Sequence, residues 1–137
     1  MSLMDAAETP PAAPSSHRVT LTFIDAVAAR DLVALHRLLA PGAGMRAVTP
    51  LKVIEEAGAD AIVARFDAWF GDQDHVELVN ARTRGIGARE GVTYELRTSD
   101  VEGSYQVAQH AFIDIRGDRI HRIDLLCSGF QHAQGVA

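Results

Sequence analysis

The sequence predicts an α+β domain in which helices cover one face of an antiparallel sheet. Two observations carry this prediction. Apolar residues recur every three to four positions as far as Gly71, as in amphipathic helices, and alternate with polar residues from His75 onward, as in strands. Helices followed by a run of strands joined by short turns are the order typical of α+β domains.

Two helices are predicted at the start of the domain. Ser15 and Ser16 can cap the first, in which apolar side chains recur every four residues at Val19, Phe23 and Val27. Asp31 can cap a second, shorter helix, which the turn residues Pro41-Gly42 close. The second helix has an apolar face of four leucines, at positions 32, 35, 38 and 39.

A short strand and a third helix complete the first half. Residues 45–48 form a short, mostly apolar stretch that stops before Pro50 and is long enough for an edge strand. The third helix is predicted over 59–70, with Gly58 or Asp60 as its cap and Gly71 at its end. It carries much of the aromatic content in Phe66, Trp69 and Phe70.

Four strands are predicted in the second half. The alternating segments cover residues 76–84, 92–98, 105–116 and 119–130. Segments 85–91, 99–103 and 117–118 connect them and contain the Gly and Asp residues typical of hairpin turns. Consecutive strands are therefore expected to pair antiparallel.

Composition limits the classes of function. A chain of 137 residues with 47% hydrophobic and 23% charged residues is typical of one globular domain. Its single cysteine, Cys127, excludes an internal disulfide and a zinc site built from several cysteines. The net charge is −5 and the 13 basic residues are scattered, which argues against a nucleic-acid partner. The six histidines include no pair four residues apart on a helix, so we expect no metal site. Gly85-Ile86-Gly87 lacks the third glycine and the following helix of a dinucleotide-binding motif, and no cofactor is expected.

The local composition divides the sequence into three segments. Residues 1–15 are rich in proline and small residues and are predicted to be a disordered leader. Residues 16–130 form the domain, and the polar residues 131–137 are predicted to be a flexible tail. The leader lacks the basic and apolar regions of a secretory signal, and no apolar run is long enough to cross a membrane. A cytoplasmic location is therefore predicted.

The order of elements, the helix over 59–70 and the last hairpin resemble the nuclear transport factor 2-like superfamily, and its SnoaL-like branch most. The hairpin reads Arg116-Gly117-Asp118-Arg119-Ile120 followed by Ile123-Asp124-Leu125-Leu126. The resemblance covers residues 16–130. It implies a cone-like, curved, mostly antiparallel sheet wrapped around three N-terminal helices, a pocket between sheet and helices, and a homodimer formed through the outer face of the sheet.

His110 and Asp124 are the candidate catalytic residues. His110 lies in the middle of the longest predicted strand and Asp124 in the last one. A carboxylate beside an imidazole gives a base that titrates near neutrality, as proton abstraction requires. SnoaL-like polyketide cyclases are similar in using a His and an Asp on the two closing strands, and the resemblance implies these two positions here.

Two registers of the last hairpin remain open. A two-residue turn at Gly117-Asp118 with a regular ladder would place His110 and Asp124 on opposite faces. One extra residue near His121-Arg122, as in a β-bulge, would instead place the isoleucines of both strands on one face. The bulge is favoured because it gives the isoleucines a common core. It makes His110 and Asp124 diagonal neighbours on the other face, which could serve as pocket or as dimer surface.

Four bulky residues are candidates for the wall of an apolar, ligand-binding pocket. They are Phe23, Met45, Phe66 and Trp69. Such residues more often belong to the core, so both interpretations stay open. Asp25, Arg46 and Arg82 are candidate polar groups near the pocket mouth.

The sequence departs from two activities of the superfamily. Steroid isomerases have a Tyr in the first helix, where this chain has Phe23, and an acidic base where it has the acid-free run 45–48. The epoxide hydrolases need an Asp–Arg–Asp set that no predicted strand here contains. Two functions remain. One is a cofactor-independent cyclase, isomerase or hydrolase of a small apolar carbonyl compound, and the other is a non-catalytic, dimeric small-molecule-binding or accessory domain.

Overall fold

A computed structural model describes residues 14–133 and shows three helices and seven strands within them. The helices are α1 (Pro14–Ala29), α2 (Leu32–Leu38) and α3 (Ala59–Phe70). The strands are β1 (Leu39–Val48), β2 (Val53–Ala57), β3 (His75–Ile86), β4 (Arg89–Asp100), β5 (Gly103–Arg116), β6 (Arg119–Cys127) and β7 (Gln131–His132). Most of the predicted leader and the end of the predicted tail lie outside the described residues.

The strands form one open sheet in the order β2-β1-β6-β5-β4-β3, and β7 pairs with β5 beyond the end of β6. All neighbours are antiparallel except β1 and β6, which run parallel. The three helices lie against one face, which confirms the predicted α+β fold with its curved, mostly antiparallel sheet.

Alternation along the strands separates an inward face, packed on the helices, from an outward face. In β4 the even-numbered residues from Glu90 to Thr98 are buried and the odd-numbered ones are partly exposed. Phe23 of α1 and Phe66 of α3 pack edge to face, with ring centroids 5.8 Å apart, and Phe23 also contacts Tyr94 of β4. The core therefore lies between the helices and the inward face.

The hairpin between β5 and β6 contains the predicted bulge. Arg116 pairs with Arg119 across a two-residue turn, in which Gly117 has a φ of +64° that favours glycine. Ile115 pairs with Ile120, but Asp114 pairs with Arg122, so His121 is the extra residue. The regular-ladder alternative is therefore wrong.

Two elements differ from the sequence prediction. Helix α2 ends at Leu38, and Pro41-Gly42 lie inside β1 rather than closing the helix, because β1 begins beside β6 with a register shift between Leu39 and Gly44. The prediction that residues 45–48 form an edge strand is also wrong. These residues belong to β1, which lies between β6 and the unpredicted strand β2.

The helices of residues 14–133 are all too short or too polar to span a bilayer.

Candidate functional site

His110 lies on the outward face of the sheet. It is exposed, and its Nδ1 is 3.1 Å from Thr93 Oγ1 on the neighbouring strand. The residues on either side, Gln109 and Ala111, are buried on the inward face. The strand alternation therefore directs the imidazole away from the helices and from the core.

Asp124 lies on the same outward face, where two arginines hold it. Arg89 donates to Oδ2 at 2.7 Å, and Arg122 donates to Oδ1 at 3.1 Å. Burial raises the pKa of the Asp124 carboxyl, but the hydrogen bonds and charges of the two arginines outweigh it, so this pKa lies below its ordinary value. A carboxylate held in its charged form is a poor proton acceptor.

The structure does not bring the predicted catalytic pair into hydrogen-bond contact. His110 is opposite Leu126 in the ladder, and Asp124 is opposite Phe112. The two side chains are diagonal neighbours, as the bulged register predicts, but each has other partners within the described residues. Both also lie across the sheet from the helices, whereas the predicted pocket lies between sheet and helices.

A cavity of about 330 Å³ opens on the helix side, at the end of the sheet where β6 stops. It lies between α3, the loop from β1 to β2, and the segment that follows β6. Trp69 of α3 and Phe130 form aromatic parts of its wall, with Ile54 and Cys127 among the buried residues. The other lining residues are Thr49, Pro50, Leu51, Lys52, Arg65, Gly129 and Gln131.

Two cationic side chains lie at this cavity. Arg65 is paired with Glu56 of β2, with its Nε 2.8 Å from Oε2, and both side chains are largely buried. Lys52 is exposed in the loop between β1 and β2, and its ammonium group forms no ion pair within residues 14–133. The mouth of the cavity therefore has one cation available to an oxygen-bearing ligand.

A chain of buried polar groups lies behind the cavity. The Tyr94 hydroxyl donates to Gln109 Oε1, and Gln109 Nε2 donates to Cys127 Sγ at 3.3 Å. The backbone N–H of Gly129 also donates to this sulfur, at 3.4 Å. Burial raises the pKa of the Tyr94 phenol well above its ordinary value, and Cys127 adds to the effect. The phenol therefore keeps its proton and stays a hydrogen-bond donor. The linked hydrogen bonds hold Cys127 in the cavity wall.

Only one of the four predicted wall residues lines this cavity. Trp69 does, and its ring packs edge to face on Phe66 at 5.2 Å between centroids. Phe23, Met45 and Phe66 are buried in the core and contribute no surface to the cavity, because α1 and α3 pack directly on the sheet at their positions. Of the predicted polar groups, Arg46 and Arg82 lie on the outward face.

Sequence reasoning missed several lining residues. The loop over 49–52 and the segment over 129–131 have no periodicity that would place them together. Cys127 did carry a signal, since it has the strand parity of the buried residue Leu125. Gln109, which lies behind the cavity, has that of the buried residue Ile113. Within residues 14–133, His, Cys, Asp and Glu side chains form no group of three that could hold a metal ion.

Solved structures resemble this fold over most of the chain. A protein from Jannaschia sp. CCS1, assigned as a SnoaL-like polyketide cyclase, has a TM-score of 0.69 and 13% identity, covering 88% of this chain and 89% of that one. An LEH-like epoxide hydrolase of M. tuberculosis has a TM-score of 0.66 and 14% identity, covering 83% of both chains.

A protein from Kribbella flavida DSM 17836, assigned as a ketosteroid isomerase, has a TM-score of 0.64 and 14% identity. The similarity covers 90% of this chain and 82% of the Kribbella protein. No family model matches the sequence, and no curated protein matches it.

Proposed function

We propose that this chain, which has the nuclear transport factor 2-like fold, is a non-catalytic binding domain for a small apolar molecule. The ligand would occupy the cavity of about 330 Å³ beside Trp69, which we call the inner cavity. One observation carries the proposal. The inner cavity is mostly apolar, and its described lining contains no Asp, Glu, His or Tyr.

The absence of Asp, Glu, His and Tyr from the described lining matters because these side chains are the usual proton donors and acceptors. General acid–base catalysis needs a titratable group within hydrogen-bond reach of the reacting atom. Lys52, Arg65 and Cys127 are the titratable side chains of the described lining, and Arg65 is already paired with Glu56. His110 and Asp124 lie on the opposite face of the sheet and do not serve this cavity.

The shape of the inner cavity favours a compact ligand with one polar end. Its volume is at the lower end of the range typical of small-molecule sites, roughly 300–1,000 Å³. Trp69 and Phe130 offer aromatic surface, and the exposed residue Lys52 is part of the lining. We therefore propose a small apolar molecule with a carbonyl or similar oxygen directed toward Lys52.

Catalysis is a second candidate, favoured by the three structural relatives, which are assigned as a cyclase, an isomerase and a hydrolase. In that case the chain would be a cofactor-independent enzyme acting on a small apolar carbonyl compound. Turnover of a bound compound distinguishes the two candidates.

Fluorescence of Trp69 tests the proposal, because it is the chain's only tryptophan and lines the inner cavity. The protein is titrated with polyketide-like, steroid-like and terpenoid compounds, and each mixture is analysed for product. We expect at least one compound to change the emission of Trp69 saturably and to be recovered unchanged. No saturable change with any compound would contradict binding, and product formation would contradict a non-catalytic role.

A matched pair of variants locates the binding. Leu51 and Val101 are 94% and 95% exposed, but only Leu51 lies at the inner cavity. We expect Leu51→Asp to weaken binding roughly tenfold by placing a carboxylate at the apolar mouth, and Val101→Asp to leave it unchanged. Equal effects of both variants would place the ligand elsewhere.

We also propose that two copies of the chain associate through the outward face of the sheet. Four exposed apolar residues lie together there, at facing or diagonal positions of β5, β6, β1 and β2. We call them the apolar patch: Phe112, Leu126, Val48 and Val53. An apolar patch that meets its own copy about a two-fold axis is removed from water on both subunits.

A further inference from the structure

The outward face carries a second cavity, of about 370 Å³, across strands β3, β4 and β5. We call it the outer cavity. Its hollow lies at Gly91, which stands between Arg84 of β3 and Phe112 of β5 in one row of the sheet. A Cβ at Gly91 would lie 3.4 Å from Ile86 Cδ1 and 3.6 Å from Phe112 Cε1. Because Gly91 has no side chain, a depression with apolar walls lies at this position.

The outer cavity has a cationic rim. Arg82 and Arg84 extend from the same face of β3 and line it, and the lining contains no carboxylate. Within residues 14–133, neither arginine forms an ion pair or a side-chain hydrogen bond. The acid opposite Phe112 is Asp124, whose two oxygens are held by Arg89 and Arg122. Two guanidinium groups are therefore left for an external anion.

Further hydrogen-bonding groups complete the rim. Arg82, Thr93 and His110 occupy one row across the three strands. The contact between His110 Nδ1 and Thr93 Oγ1 orients the imidazole and leaves Nε2 available to a ligand. The row offers a guanidinium, a hydroxyl and an imidazole side by side, which suits a planar oxyanion.

We propose that the outer cavity binds a small aromatic carboxylate. Its ring lies over Gly91 between Ile86 and Phe112, and its carboxylate accepts hydrogen bonds from Arg82 and Arg84. This site is independent of the inner cavity, which lies on the other face of the sheet. It also gives His110 a role in binding at the face where the structure places it.

The apolar patch and the outer cavity share Phe112 but extend in opposite directions. Leu126, Val48 and Val53 lie on the side of β6, β1 and β2, whereas the arginines lie on β3. A second copy on the patch and a carboxylate in the cavity are therefore compatible. The charge of the rim favours a carboxylate over a second copy that would bring its own Arg82 and Arg84 to the same place.

NMR titration with 1-naphthoate tests the proposal, with 1-naphthamide and inorganic phosphate as comparison probes. The ring signals of His110, assigned with His110→Gln, report on the outer cavity, and the single Trp69 indole signal reports on the inner one. We expect 1-naphthoate to shift the His110 signals saturably and to leave the Trp69 signal in place. The amide lacks the charge and phosphate lacks the ring, so both should bind at least tenfold more weakly.

Substitutions test the contribution of the two arginines separately from that of the depression at Gly91. Arg82→Gln with Arg84→Gln removes both cations, and Gly91→Val fills the depression. Each should weaken binding of 1-naphthoate at least tenfold, whereas Arg97→Gln, on the same face but outside the cavity, should leave it unchanged. Leu126→Lys should also leave it unchanged.

Five results would overturn the proposal. The first four are an unshifted His110 signal at millimolar 1-naphthoate, a shift of the Trp69 signal instead, unchanged affinity in the double arginine variant, and equal binding of phosphate. Binding that appears only with Leu126→Lys would show that a second copy covers the cavity, and would overturn it as well. The inner cavity is tested separately by Trp69 fluorescence, so either proposal can fail alone.

Discussion

Phe112 lies directly opposite Asp124 across β5 and β6, and this pairing exists because His121 is the bulged residue. Arg89 bridges the two, since its guanidinium carbon lies 6.0 Å from the centre of the Phe112 ring and its Nη2 donates to Asp124. The bulge keeps Ile113 and Ile123 together in the core, and it gathers an aromatic ring, a carboxylate and a cation on the outward face.

Asp124 should contribute pH-dependent stability. Its folded-state pKa is lowered, so its contribution is complete above the unfolded value of about 3.9 and is lost as pH falls through the folded value. Because the carboxylate is partly exposed, Asp124→Asn should cost at most about 1 kcal/mol at pH 7. Urea unfolding at pH 7 and pH 2 measures the effect, and an equal cost at both pH values would contradict it.

Tyr94 should make the fold sensitive to alkali. Its pKa is raised in the folded state, so the folded protein keeps the phenolic proton and stability falls as pH rises above the unfolded value of about 10. The chain has two tyrosines, and Tyr105 is partly exposed. An absorbance titration should show reversible ionisation of Tyr105, with Tyr94 ionising only as the protein unfolds. Ionisation of both in the folded protein would refute this.

The donor role of Tyr94 can be measured at neutral pH. Tyr94→Phe removes the donor to Gln109 Oε1, which stays buried, and we expect a loss of about 1–3 kcal/mol in the free energy of unfolding. Tyr105→Phe serves as the control and should change stability by less than about 0.5 kcal/mol. Equal losses in the two variants would show that the buried hydrogen bond has no special weight.

Leu126 should control self-association. It is 55% exposed at the centre of the apolar patch, and Leu126→Lys places a charge there on both subunits. Sedimentation at micromolar concentration should give a dimer for the wild-type protein and a monomer for this variant. Val33→Lys, at a similarly exposed apolar residue of α2, should remain dimeric. A monomeric wild-type protein would contradict the proposed association.

Phe66 should behave as a core residue. It is buried and packs on both Phe23 and Trp69, so Phe66→Ala should lower the free energy of unfolding by about 3–5 kcal/mol. Phe66→Leu should lower it less while leaving the affinity of the inner cavity within about twofold, because Phe66 contributes no surface there. A large loss of affinity with Phe66→Leu would restore its predicted role as a wall residue.

Periodicity predicted most of the fold because each amphipathic face leaves a local trace in the sequence. The isoleucines near the last hairpin even predicted the bulge, since only one register buries them together. Strand β2 left no such trace. Pro41-Gly42 resembled a helix end because the residues that place this stretch in β1, Leu39 and Gly44, pair with a strand some 80 positions later.

The candidate site was harder to predict, for a physical reason. The alternation of side chains along the strands predicted that His110 lies on the face of the sheet away from the isoleucines. It did not identify which face borders a cavity. The inner cavity depends on loops that meet only after folding, as Leu51 and Phe130 do. Phe66 and Trp69 look alike in the sequence, and only the packing of α3 shows which of them is exposed to the cavity.

The parallel pairing of β1 with β6 also has consequences for the order of folding. Strand β6 follows the other long strands of residues 14–133 in sequence, yet it occupies the middle of the sheet, with β1 on one side and β5 on the other. Until β6 is available, the β1–β2 hairpin and the β3–β4–β5 meander have no strand in common. Such distant pairings slow folding, because a long loop must close before any contact is gained. In a nascent chain that stops before Arg119, no strand would join these two parts of the sheet.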